Sequence, residues 1–258
     1  MIRQLLPHCF TADDDLREVG YAHDDALGPQ INCLVWNIFK ARRTRWADEF
    51  SSLIADRNLV LLQESVLNAP SDGLFEQQDG LLWIMARSFR HQASAIEHGI
   101  KTGCVAPALS QHYYLSPHSE PFSQTRKLLL TTEYALANQA QRLLVLNMHA
   151  INFVGAVKYA QQLEQVSAAM QSHQGPIILA GDFNTWSDRR LAHFLEVAGN
   201  AGLMEAAMTR ESRLTHLNRH LDHIFYRGLA LRSVKSLPQY RSSDHAPIVA
   251  NFEVPESD

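Results

Sequence analysis

The stretch ILAGDFNTW, residues 178–186, begins like a buried strand and then breaks its own pattern. Ile178, Leu179 and Ala180 are apolar, and Gly181, Asp182, Phe183 and Asn184 follow them. In a strand, Asp182 and Asn184 share one face. Such groups are costly to desolvate unless they are paired or bound to an ion. Other apolar runs end in the same way. INCLVW ends in Asn37, LVLLQ in Glu64, and RLLVL in Asn147 and His149. Four such ends suggest one rim on which polar strand ends converge. Two further clusters, Asp222-His223 and Asp244-His245, stand at strand starts. They reach the same rim only if their strands run opposite to the others, which predicts mixed or antiparallel sheets.

The strand runs are INCLVWN (31–37), LVLLQE (59–64), LLWIMA (81–86), KLLLTTEYAL (127–136), RLLVLNMH (142–149), PIILAGD (176–182), DHIFYRG (222–228) and PIVANFEV (247–254). GCVAPALS (103–110) and LRSVKSL (231–237) are weaker. Helical stripes read at Trp46, Phe50, Leu53 and Ile54, and at Val157, Ala160, Leu163, Val166 and Met170. A third helix starts at the cap-like Ser187 and ends near Gly202. Strands apolar on both faces predict two packed sheets covered outside by helices. Residues 1–29, with Asp13, Asp14, Asp15, Asp24 and Asp25, read as a loosely attached acidic arm, and residues 30–258 as a single catalytic domain.

The 258 residues are 46% hydrophobic and 19% charged, an ordinary globular composition with a net charge of −4. No overall basic field advertises nucleic acid, although a nuclease needs only a local positive site or a bound cation. Cys9, Cys33 and Cys104 lie far apart without zinc-finger spacing. Neither a secretory core nor a run of about 20 apolar residues is present, so a reducing cytoplasm is expected. GxSxG, P-loop and HExxH patterns are also missing.

The assembled set, Asn37, Glu64, Asn147, His149, Asp182, Asn184, Asp222, Asp244 and His245, is rich in oxygen and free of cysteine. That chemistry suits a hard cation, Mg²⁺ or Mn²⁺, with positions left for a substrate phosphate. The remaining groups can activate water and offset charge on phosphorus. Plain structural readings stand beside these: a strand-end turn at Asn37, an Asx turn at Asp182 and Asn184, a core position for His149. His223 reads as structural, pointing away from Asp222. His112, His118, His216 and His220 read as surface or loop residues, and Arg126 and Lys127 as solvated. Trp186 reads either as cleft lining or as core.

The ordered segments WN, QE, NMH, GDFN, LDHIF and SDHAP resemble the endonuclease/exonuclease/phosphatase superfamily from Val35 to Val249. Its members include pancreatic-type deoxyribonucleases, apurinic-site endonucleases, neutral sphingomyelinases and inositol polyphosphate phosphatases. TGCVAPALS with EPF, RK and TEY (102–134) is similar to a bacterial YafD-like subgroup. The resemblance implies an α/β fold, a four-layered α/β/β/α sandwich of two mixed, largely antiparallel sheets flanked by helices. It implies Glu64 as principal metal ligand with Asn37 beside it and Asp244 as a further metal-side carboxylate. Asp182, supported by Asn184, would orient or deprotonate the attacking water. His245 would contact the scissile phosphate, oriented by Asp222, and His149 is a candidate acid for the leaving oxygen. The expected activity is a Mg²⁺-dependent phosphodiesterase of nuclease type, endonuclease or exonuclease, acting on a phosphodiester such as DNA or RNA. The alternatives are a phospholipid or sphingomyelin-type diesterase, for which residues 110–125 could offer an apolar loop unless their aromatics are core, a soluble phosphatase, and a non-catalytic binding module.

Overall fold

A computed structural model of the protein describes residues 7–11, 16–67, 69–76, 80–208 and 220–256. Asp13, Asp14, Asp15 and His216 lie outside the described residues. The chain runs through β1 (His8–Cys9), β2 (Arg17–Gly20), β3 (Gln30–Asn37), α1 (Trp46–Ile54), β4 (Leu59–Leu67), α2 (Ala69–Glu76), β5 (Leu82–Arg90), β6 (Glu97–Cys104) and β7 (Ala108–Ser119). It continues through β8 (Arg126–Ala135), β9 (Arg142–His149), α3 (Ala156–Met170), β10 (Ile177–Asp182), α4 (Asp188–Asn200), β11 (Met204–Glu205), β12 (Asp222–Arg227), β13 (Ala230–Ser236) and β14 (Ile248–Glu253). The eight-stranded sheet has the order β1-β5-β6-β4-β3-β14-β13, with β2 also on β5, and the six-stranded sheet the order β11-β12-β10-β9-β8-β7. The pairs β3–β4 and β9–β10 are parallel, and the other ladders are antiparallel.

Period-two alternation explains the layers. In β3 and β4, Cys33, Val35, Leu59 and Leu61 fill the core between the sheets. Leu34, Trp36, Val60 and Leu62 face outward onto Trp46, Phe50 and Leu53 of α1 and Phe75 of α2. In β10, Ile178 and Ala180 point between the sheets, while Ile177 and Leu179 meet Leu163 and Val166 of α3 and Phe194 of α4. Strands buried on both faces must be apolar throughout, and each fully buried aliphatic side chain contributes about 1.5–3 kcal/mol. Ser187 caps α4, its side chain accepting from the Arg190 N–H.

Three expectations change. The arm is not loose over its described residues: β1 and β2 pair with β5, and Leu27 is fully buried. On α3 the buried stripe is Tyr159, Gln162, Leu163, Val166 and Met170, and Val157 is exposed because its side of the helix meets no sheet. Residues 110–125 are mostly the strand β7 rather than an apolar loop, with Leu115 buried and only the turn carrying Phe122 projecting. The weak run at 103–110 divides into the end of β6 and the start of β7 around Pro107.

Candidate active site

Register sets the first row of the site. Asp182 of β10 lies opposite His149 on parallel β9 and opposite Asp222 on antiparallel β12. All three share the parity of Ile178 and Ala180, so they stand at the mouth of the gap between the sheets. Gly181, one step before, has φ +141° and would place a Cβ 2.0 Å from the Met148 carbonyl oxygen. Only glycine fits where the strands converge this closely. The antiparallel run of β14 against β3 brings the loop with Asp244 and His245 to the same edge. Trp36 Nε1 pins that loop by donating to the His245 carbonyl at 3.0 Å.

Glu64 follows a different rule. Plain alternation would send it outward with Leu62, toward α1. The β4–β6 register shifts between Leu62 and Ser65, and Glu64 takes φ +50°. A bulge of this kind re-aims a side chain, and Glu64 lines the cleft.

That cleft, of about 760 Å³, is lined by Glu64, His149, Asp182, Asn184, Asp222, Asp244 and His245, together with Lys40, Glu120, Lys127, Asn152 and Trp186. Asn37 stands just behind it, donating to Asp182 Oδ2 at 3.0 Å and accepting from the Phe39 N–H at 3.1 Å. Asn184, at φ +49°, donates its backbone N–H to Asp182 Oδ1 at 3.0 Å and its amide to the Ala150 carbonyl at 2.8 Å. His245 Nδ1 meets Asp222 Oδ2 at 2.7 Å, and its Nε2 lies 3.9 Å from Asp182 Oδ2. His149 Nε2 is 3.5 Å from that same oxygen.

Burial disfavours charge on His245, but Asp222 first, then Asp182 and Asp244, outweigh it and push the ring up to about 10. His149 moves the other way. Burial, helped by Lys127, His245 and Lys40, holds it well below the usual histidine value, so its ring is neutral. Burial raises Asp182 to about 6; Asp222 adds to this, while His245 and the bonds from Asn184 and Asn37 oppose it.

Two carboxylate oxygens here are buried without a hydrogen bond, Glu64 Oε2 and Asp222 Oδ1. Buried acceptors left open in this way are what a bound cation or a protonated ligand would complete. Asp182, Asp222 and His245 also form an acid–histidine cluster with ligand-type atoms within 4.8 Å of one another. In that cluster both Asp182 oxygens and His245 Nδ1 already hold partners. Asp222 Oδ1 in that cluster and Glu64 Oε2, which faces the Lys40 ammonium at 3.5 Å, are the acceptors left for a hard cation.

Asn147 does not join the cleft. It is fully buried between the sheets, accepting from Gln63 at 2.8 Å and donating to the Lys101 carbonyl at 2.8 Å. It shares His149's face but lies one pair deeper, where it clamps the two sheets. His223 points outward and sits among Phe183, Phe194 and Phe225, with Thr185 Oγ1 at 2.9 Å. Sequence reasoning missed Lys40, Glu120 and Asn152, and took Lys127 as solvated. Glu120 pairs with Lys127 at 3.5 Å and accepts from the Asn152 N–H at 2.9 Å. The signal available was the EPF and RK pair of motifs, which places both residues in one hairpin. Trp186 lies at the rim, 36% exposed, donating to Asn152 Oδ1 at 2.8 Å. Arg190 is buried beneath it and ties down the carbonyls of Ile151, Val154 and Asn184.

Comparison with known proteins agrees with this fold. The chain is 37% identical over 229 residues to a UPF0294 protein of Vibrio vulnificus (strain YJ016), covering 88% of this chain and 78% of that one. The crystal structure of an endonuclease/exonuclease/phosphatase from Beutenbergia cavernae matches with a TM-score of 0.67 at 16% identity, covering 88% of this chain and 72% of the other. D. rerio TDP2 complexed with a single-strand DNA product matches with a TM-score of 0.65 at 15% identity, covering 87% and 99%. The model of the Endonuclease/Exonuclease/phosphatase family matches residues 34–245, and the chain is a member of that family.

Proposed function

We propose that the protein is a divalent-metal-dependent phosphodiesterase of nuclease type. The observation that carries this reading is the row Asp222–His245–Asp182 beside the open, buried oxygen of Glu64. Asp182, raised toward neutrality, accepts a proton from a water positioned for in-line attack on phosphorus. His245, held protonated by Asp222, donates through Nε2 to a phosphate oxygen as charge develops there. Neutral His149 places its Nε2 3.5 Å from Asp182 Oδ2. Asn184 and Asn37 fix the Asp182 carboxylate. Glu64, with Asp244, would hold Mg²⁺ or Mn²⁺, while the Asn37 oxygen, already accepting from the Phe39 N–H, would have to release that bond to join them. The ion would supply Lewis-acid charge opposite the phosphate. A nucleic-acid substrate is favoured by the likeness in fold to TDP2 with its DNA product. The reading includes a reducing, cytoplasmic setting, supported by three unpaired cysteines, two of them buried. No helix among the described residues is long and apolar enough to cross a membrane.

A second reading, a lipid phosphodiesterase, is favoured by one observation. Phe122 is 84% exposed and Phe153 62% exposed, and their rings meet edge-on at 5.8 Å beside the cleft. The first test is hydrolysis of bis-p-nitrophenyl phosphate with and without Mg²⁺, wild type beside Asp182→Ala and His245→Ala. Metal-dependent turnover lost in both variants is expected; equal turnover in all three sinks the assignment. Plasmid DNA, abasic duplex, RNA and sphingomyelin then separate the two readings.

A further inference from the structure

Directly after Asn37 the chain makes a turn that ordinary residues avoid. Phe39, Lys40 and Ala41 have φ of 49°, 59° and 53°. Consecutive non-glycine residues in the left-handed region are strained, and strain persists only where surroundings over-determine it. Here the surroundings are visible. The Phe39 N–H donates to Asn37 Oδ1 at 3.1 Å and the Ala41 N–H to the Ile38 carbonyl at 2.9 Å. The guanidinium groups of Arg42 and Arg43 lie 5.9 Å and 5.7 Å from the Phe39 ring centre. Arg43 also donates to the Ser243 carbonyl at 2.7 Å, tying the turn to the loop that carries His245. The side chain this turn delivers to the cleft is Lys40, which also lines a smaller pocket behind Glu64.

The Lys40 ammonium lies 3.5 Å from Glu64 Oε2, yet that oxygen has no hydrogen bond. Lys40 itself makes no hydrogen bond among the described residues. Two strained backbone sites, Lys40 and Glu64, thus hold opposite charges as an ion pair at 3.5 Å that lacks a hydrogen bond. An ion pair without a hydrogen bond can exchange partners: a cation on the carboxylate and an anion on the ammonium. A divalent cation at Glu64 and the Lys40 ammonium repel one another unless a phosphate lies between them.

We propose that Lys40 is a phosphate-binding catalytic residue, placed so that it opposes a divalent cation at Glu64 until a phosphate bridges the two. The proposal rests on the reading of Glu64 as a cation ligand. Its signature is a change of opposite sign in two affinities. Calorimetric titration of Mg²⁺ into phosphate-free protein is expected to show Lys40→Met binding about three- to tenfold more tightly than wild type. Titration of inorganic phosphate into the Mg²⁺-saturated protein is expected to show the same variant binding about three- to tenfold more weakly. Lys40→Arg keeps the charge and is expected to stay within about twofold of wild type in both. It also controls for misfolding. Wild-type Mg²⁺ binding that Lys40→Met leaves unchanged or weakens overturns the role of Lys40 alone, as does unchanged phosphate binding. Absence of Mg²⁺ binding in the wild type overturns the reading of Glu64 and the proposal with it.

Discussion

Replacing Asp222 by Asn removes the carboxylate that His245 Nδ1 touches at 2.7 Å while keeping the side chain's shape. With Asp222 in place the ring is held up at about 10 against its own burial. Without it, burial is opposed only by Asp182 and Asp244, and the ring is expected to fall toward its ordinary value of 6.5. At pH 7.5 the protonated share then drops from nearly all to about a tenth. If the cationic Nε2–H is what meets the phosphate, that tenth sets the turnover, and the variant is expected to lose about tenfold at pH 7.5. The deficit should shrink as pH is lowered toward 6, where the ring regains its proton. Two assays read this: kcat/KM for bis-p-nitrophenyl phosphate across pH, and the His245 ring titration followed by NMR. A variant whose ring still titrates above about 9 would refute the electrostatic argument. So would activity within about threefold of wild type at pH 7.5.

Gly181→Ala is expected to cost about 3 kcal/mol or more, because its Cβ would lie 2.0 Å from the Met148 oxygen at φ +141°. Thermal unfolding checks it, and a midpoint within about 2 °C of wild type contradicts it. His98 is lowered to about 4, first by burial and then by Lys40, Arg42 and His91. The unfolded ring takes its proton near 6.5 and the folded one only near 4, so this contribution to stability is complete above 6.5 and is lost as pH falls toward 4. His98→Asn should flatten the change in urea midpoint between pH 7 and pH 5; an identical fall in both proteins removes His98 as the cause.

The central ends of the strands were legible because alternation leaves little choice. Ile178, Ala180 and Asp182 share a parity, as do Val145, Asn147 and His149, and the polar ends on that parity are the ones that face the gap between the sheets. Asp182, His149 and Asp222 follow from it, and so does the outward turn of His223, whose parity is that of Phe225. Depth was not legible. Asn147 and His149 read alike, and only the packing of the second sheet shows that Asn147 meets Gln63 and Lys101 while His149 reaches the cleft. Backbone exceptions were not legible either. Glu64 arrives through a bulge, and Lys40 through a left-handed turn of three ordinary residues. No local propensity favours those conformations; they exist because hydrogen bonds and packing from distant segments hold them. The sequence by itself therefore determined which strands carry polar ends and on which face. Tertiary structure decided which of those ends meet, and it added the cations Lys40 and Lys127, because charges from separate loops become neighbours only when two sheets close over one edge.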